Sequence, residues 1–144
     1  MTARILVADG VATTRITLKV RLAAACYDVV TAASAEQIRA QMLQAAPDLI
    51  LLGSSLADAS ALQICRQITS DPCNAGLPVL MLVRPEQRLE ALQAGAVAAL
   101  DHETPDQMLL ARVRGILRDA DLMPVGLGLA EAPARFEAPP ALVV

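Results

Sequence analysis

Five short apolar runs, each followed by a longer amphipathic stretch, constrain this sequence more than any other feature. The runs are Arg4–Ala8 (RILVA), Asp28–Thr31 (DVVT), Asp48–Leu52 (DLILL), Pro78–Val83 (PVLMLV) and Val97–Leu100 (VAAL). Runs of this length, bounded by turn residues, predict strands. Because they are apolar at nearly every position, the strands are expected to be buried on both faces, which predicts a parallel sheet.

The intervening stretches read as helices. Ala12–Ala25 carries Ile16, Val20 and Ala23 at helical spacing. Ser34 and Gln37 have the spacing of a capping box, opening a helix with Ile38, Met42 and Ala45 that stops before Pro47. A loop over Gly53–Ala59 leads to a helix holding Leu62, Cys65 and Ile68, which ends at Asp71–Pro72. Pro85 opens a short helix and Gly95 closes it, each in the position its backbone favours. Thr104, Pro105 and Gln107 are expected to cap a last helix, with Leu109, Val113 and Ile116 on one face. Right-handed crossovers between such strands give an α/β fold with an open, doubly wound five-stranded parallel sheet. In that architecture the working site lies at the carboxyl ends of the strands. Here those ends are Asp9–Gly10, Gly53–Ser55, Val83–Arg84 and Asp101–His102.

Composition removes several classes of function. The chain has 144 residues and is 55% apolar, yet no run approaches the roughly 20 residues needed to span a bilayer. Met1–Arg4 lacks the head of a signal peptide, so a cytoplasmic location is expected, with no membrane partner. The net charge is −3, and no basic stripe marks a nucleic-acid partner. Arg112, Arg114 and Arg118 read as a solvated helix end, where cations suit the helix dipole, in preference to a phosphate-binding patch. Cys26, Cys65 and Cys73 lack the paired spacing of a zinc or redox site and read as free thiols, buried as small apolar groups. A redox role for Cys73 is the less favoured reading. The stretch 121–144, with Pro124, Pro133, Pro139 and Pro140, reads as a linker. Its end, Ala141–Val144 (ALVV), resembles the start of another first strand. The expected organisation is therefore one domain over 1–120, cut from a larger protein just where a second domain begins.

RILVADG, DVVTA, PDLILLG, LPVLMLV, the pair Gly95–Ala96 and LLARVRGIL resemble, in order and spacing, the receiver domains of two-component response regulators. The match covers roughly residues 3 to 119. The segment DPCNAGLP (Asp71–Pro78) and the ending LLARVRGILR make it most similar to the first receiver of PleD-like regulators, which carry two receivers before a diguanylate cyclase domain. The resemblance implies a flavodoxin/CheY-like (βα)5 fold with strand order 2-1-3-4-5. It also implies a phosphorylation site: an aspartate after the third strand attacks phosphorus, and two acidic residues after the first hold Mg²⁺. A hydroxyl after the fourth strand and a lysine after the fifth bind the phosphoryl oxygens.

This sequence departs from that pattern at nearly every position. Asp9 matches the first acidic residue, but Gly10 stands where the second should be and Gly53 stands at the nucleophile position. Val83 replaces the hydroxyl residue, His102 the lysine, Glu103 the proline after it and Ala99 the switch aromatic. The resemblance therefore implies a receiver without phosphotransfer, not an enzyme, with no resident cofactor. Losing two of three clustered carboxylates should also relieve mutual repulsion and stabilise the fold.

Asp9 is either a weak metal ligand or, the favoured reading, a strand-end carboxylate bonded to neighbouring backbone. His102 is a polar replacement or an anion ligand. Ser54 and Ser55 are loop hydroxyls open to modification. Asp101 and His102 are adjacent, and along a strand their side chains should diverge. No hydrolase triad is completed. Three functions follow. The leading one is an interaction and dimerisation module, pairing with itself or with a neighbouring receiver. It would use the face of the fourth helix, fifth strand and fifth helix, through Arg88, Glu90, Leu110, Arg114 and Arg118. That module could also be a free-standing adaptor. The second is a small-molecule sensor, in which Gly10 and Gly53 leave room and Val83 and Ala99 form an apolar wall. The third is residual phosphotransfer through an unexpected acceptor.

Overall fold

Successive side chains of a strand point to opposite faces, and in this protein both faces meet helices. The computed structural model describes residues 3–122. Strands β1 (Arg4–Ala8), β2 (Asp28–Ala32), β3 (Leu49–Gly53), β4 (Val79–Val83) and β5 (Ala98–Asp101) form one sheet in the order β2-β1-β3-β4-β5. Every neighbouring pair is parallel. Helices α1 (Ala12–Ala24), α2 (Ala35–Ala45), α3 (Ala61–Ser70), α4 (Arg88–Gln93) and α5 (Asp106–Leu122) supply the crossovers. Short 3₁₀ turns over Pro72–Asn74 and Pro85–Gln87 precede β4 and α4.

The alternation divides the core into two layers. Ile5, Val7, Leu49, Leu51, Leu80 and Leu82 face Leu18 and Leu22 of α1 and Leu109, Val113 and Leu117 of α5. Leu6, Ala8, Ile50, Leu52, Val79 and Met81 face α2, α3 and α4 through residues such as Ile38, Ile64, Cys65 and Ala91. Each fully buried leucine or isoleucine contributes about 1.5–3 kcal/mol of transfer free energy. These paired layers are why the central strands are apolar throughout.

The predicted architecture and strand order are those of the structure; several details differ. Ile16 and Val20 are 59% and 62% exposed, and Ala23 is also exposed, so the face expected from their spacing is the outer one. Leu18 and Leu22, nearly opposite around the helix, take the core. Leu117 is buried where Ile116 was expected, and Ile116 is only partly buried. β3 runs one residue later than predicted, making Gly53 its last residue. Thr104 does not cap α5: its hydroxyl donates to Asp101 O at 2.5 Å, and Pro105 O accepts the first helical N–H groups. Gln37 reaches past its cap residue to accept from Ala33 N at 2.6 Å, while Ser34 Oγ accepts from Gln37 N at 3.2 Å. Of the cysteines only Cys65 is buried. Burial pushes its thiol up to about 11, which keeps it protonated. Cys26 is exposed because it sits at φ 73 in the turn that ends α1, and Cys73 because it lies on the Pro72–Asn74 turn. From residue 123 on, the expected linker and second strand start lie outside the described residues.

Candidate functional site

The chain lays strands down in one direction from β1 to β2 and in the other from β3 to β5. The carboxyl ends of β1 and β3 therefore flank the crevice where this fold places ligands. Asp9 follows β1 directly, and its N–H donates to Ala32 O at 3.0 Å, extending the β1–β2 ladder by one residue. It is the one buried charged residue among those described, 7% exposed.

Local chemistry explains its conformation. Helix α1 begins after Val11, which has no side chain able to cap it. The first N–H groups of a helix lack internal partners, and Asp9 Oδ1 accepts from Val11 N at 2.8 Å. Arg15, one turn into α1, donates from Nη1 to Asp9 O at 2.7 Å. The carboxylate thus faces Gly53. A Cβ placed on Gly53 would lie 2.7 Å from Asp9 Cγ and closer still to Oδ2. Asp9 fills the space that a side chain at position 53 would enter. Gly10 is hemmed in similarly: its N–H donates to Ser55 O, and a Cβ there would come within 3.1 Å of that oxygen and 3.2 Å of Leu56 Cα.

A cavity of about 460 Å³ opens beside Asp9, with Ser54, Ser55, Arg84, His102 and Glu103 on its wall. Asp9 and His102 are therefore brought together. Val83 is not with them: it is 1% exposed and packs in the core layer that meets α4, as does Ala99. The apolar wall expected from those two residues is instead Leu82, one position earlier and on the opposite face of β4. Thr14, Arg84 and Gln87 also line the cavity, and sequence reasoning assigned them no role. Arg84 was visible only as a residue at a strand end.

Asp101 and His102 do not diverge. β5 stops at Asp101, His102 enters the following turn, and His102 Nδ1 lies 3.0 Å from Asp101 Oδ1. Glu103 N donates to the same oxygen at 2.9 Å. That backbone bond, followed by the one to His102, holds the Asp101 carboxyl below its ordinary range. A groove of about 560 Å³ at the opposite, amino end of β4 and β5 is lined by Thr69, Asn74, Val97, Arg112 and Ile116. The Thr69 hydroxyl and Asn74 amide both bond within the fold.

Magnesium requires several hard oxygen ligands in near-octahedral array. The crevice offers one buried carboxylate, Asp9, with one oxygen already engaged by Val11 N, and the other carboxylate on the wall, Glu103, is exposed. Gly10 and Gly53 contribute no side chain, so these residues do not fit the ion.

Burial raises the Asp9 carboxyl above its ordinary value; the Val11 N–H and the charges of Arg15 and His102 oppose this without cancelling it. The folded state thus binds this proton more tightly than the unfolded chain. The resulting stabilisation is present at low pH and is lost as pH rises through the raised value. Asp9→Asn removes the buried charge and keeps an acceptor for Val11 N. At pH 7 it should melt higher than the parent by roughly 3–5 °C, with the gap closing towards pH 4. Thermal melts of both proteins across that range check this, and a variant that melts lower at pH 7 would contradict it.

The comparisons with known proteins agree with this fold. The model of the response regulator receiver domain matches residues 5–114. Response regulator PleD of Caulobacter vibrioides is 32% identical over 121 residues, covering 82% of this chain and 27% of that protein. The phosphate regulon regulatory protein PhoB of Pseudomonas aeruginosa is 29% identical over 132 residues, covering 90% of this chain and 56% of that one. The chain thus spans between about a quarter and about half of these two relatives. Among solved structures, a CheY-like response regulator receiver domain protein from Methanospirillum hungatei superposes with a TM-score of 0.75. It is 22% identical and covers 84% of this chain and 98% of its own, a likeness of fold.

Proposed function

This chain belongs to the response regulator receiver domain family of two-component systems, and from that premise we propose that it is a receiver that takes no phosphoryl group and works through protein contacts. The observation that carries the reading is Gly53. It is the last residue of β3, where the family places its phosphoacceptor, and Asp9 occupies the space an acceptor side chain would need. Gly10, Val83 and His102 replace the second metal ligand, the hydroxyl and the lysine.

The contact surface in this reading is the face of α4, β5 and α5. Leu89 and Leu92 on α4 are 66% and 47% exposed, and Leu110 on α5 is partly exposed. Arg88, Glu90, Arg114 and Arg118 are exposed and form no ion pair with another described residue. Arg88 Nε donates to Ala99 O at 3.2 Å, so this side chain is already turned towards β5. Charges of both signs on one face can pair across a two-fold axis. In a PleD-like parent, a neighbouring receiver would accept the phosphoryl group and pack on this face.

One experiment tests both halves. The chain is incubated with acetyl phosphate and Mg²⁺, then examined by intact mass and by sedimentation velocity. The expected result is an unchanged mass and self-association indifferent to acetyl phosphate but weakened in Arg114→Glu and Arg118→Glu. A mass increase of one phosphoryl group overturns the first half. Unchanged sedimentation of the two variants overturns the second.

A further inference from the structure

Asp9 presents a problem that the fold does not solve internally. The residue is 7% exposed, yet only Oδ1 has a partner; Oδ2 accepts no hydrogen bond from any described residue. Buried polar atoms are nearly always bonded, because an unmet acceptor away from bulk water is costly. Gly53, against which Oδ2 lies, has no side chain to answer it. Asp9 also lines the 460 Å³ cavity, which is within the roughly 300–1,000 Å³ usual for small-molecule sites. The residue with the unmet acceptor therefore lines a space large enough for a group that donates to it.

The rest of the wall narrows what that is. Arg84 and His102 bring donors to the same cavity. Asp101 engages His102 Nδ1, which leaves Nε2 free, and Arg84 forms no ion pair with a described residue. Thr14, Ser54 and Ser55 add hydroxyls that can donate or accept. Glu103, the second carboxylate of the wall, adds to the demand for a cation near Asp9. An ammonium suits a buried carboxylate better than a neutral hydroxyl does, because charge-assisted bonds are about twice as strong as neutral ones. Arg84 and His102 would face an anionic group, which arginine binds with a forked donor set.

We propose that this cavity binds a small zwitterion of the α-amino acid class, its ammonium donating to Asp9 Oδ2 and its carboxylate set against Arg84 and His102. The ligand site goes beyond the interaction reading and does not depend on it. Phosphorylation of the chain would end that reading and leave this one standing, whereas absence of ligand would do the reverse.

The test uses the whole chain and the twenty protein α-amino acids, each at about 10 mM, in a thermal-shift series, since a ligand of the folded state raises the melting temperature by mass action. At least one is expected to give a saturable rise. For that amino acid, calorimetric titration compares the analogue lacking the amino group and the amine lacking the carboxylate, and each should bind about tenfold more weakly or worse, as loss of a charge-assisted bond implies. Asp9→Asn, expected to be folded and more stable than the parent, should lose about as much affinity, as should Arg84→Ala. The proposal is overturned if no amino acid shifts the melting temperature, or if either single-group analogue binds as tightly. Unchanged binding in Asp9→Asn overturns it too. So does inorganic phosphate binding as tightly as the amino acid, which would make the cavity a plain anion site.

Discussion

Gly95→Ala is expected to cost about 3–5 kcal/mol of folding stability, combining backbone strain with overpacking. Gly95 closes α4 at φ 107, a conformation that residues with a side chain rarely adopt. Its N–H still donates to Leu92 O at 3.1 Å, and two residues later Val97 N donates to Val79 O at 2.9 Å, so one residue turns helix into edge strand. A Cβ at this point would lie 2.7 Å from Thr69 Cβ and 3.0 Å from its Cγ2. Thr69 has little room to retreat. Its hydroxyl lies 2.9 Å from both Cys65 O in α3 and Ala94 O in the turn, joining the two elements. Gly76 provides the control. It also has positive φ, 87, but nothing lies within 4 Å of a Cβ there. Gly76→Ala should therefore cost only the strain, about 1–2 kcal/mol. Urea titrations of the two variants separate the contributions. Equal losses would mean that Thr69 yields freely and that the steric argument is wrong.

The same turn illustrates what can be read from sequence and what cannot. Gly95 was legible as a helix stop because few other residues tolerate the backbone there. The five strands were legible because their runs are apolar at most positions, and continuously so in β3 and β4, which only a two-layered α/β packing buries. Parity and register were less legible. In α1, Ile16 with Val20 and Leu18 with Leu22 are both pairs at i, i+4, and residues two apart lie about 200° around the helix. Periodicity alone therefore offered two apolar faces. The packing chose Leu18 and Leu22, the choice that goes with Arg15 reaching Asp9 O. In β4, adjacent residues face opposite layers, so a site drawn from the resemblance at Val83 fell on the core side while Leu82 took the cavity. Thr14, Arg84 and Gln87 belong to segments that leave the strands, and their convergence depends on how those segments turn, which spacing does not record. Asp9 was expected to bond neighbouring backbone, and it does. That its second oxygen would fill the place of the residue at 53 depends on the separation of β1 and β3 across the crevice, which no local pattern encodes.

That packing makes positions 9 and 53 a coupled pair, and the coupling is measurable. Gly53→Ala should destabilise the parent by about 1–3 kcal/mol, the usual range for overpacking a filled site. The new methyl meets Asp9 Cγ and Oδ2, and Asp9 can withdraw only by giving up its bond from Val11 N. In an Asp9→Ala background the clashing atoms are gone. The remaining neighbour, Cβ of residue 9, stands 3.2 Å away, which needs a shift of only a few tenths of an ångström. There the same substitution should cost less than about 1 kcal/mol, giving a coupling energy of about 1–2 kcal/mol in a double-mutant cycle. Additivity of the two substitutions would mean that Asp9 moves aside without penalty. The consequence for function is direct. Gly53→Asp, which restores an aspartate at the end of β3, places its side chain where Asp9 already sits, with no second acidic residue at Gly10 to recruit a metal. Intact mass after acetyl phosphate and Mg²⁺ should therefore show no added phosphoryl group on that variant. A single glycine-to-aspartate change that did label would mean that the crevice retains the chemistry its residues lack.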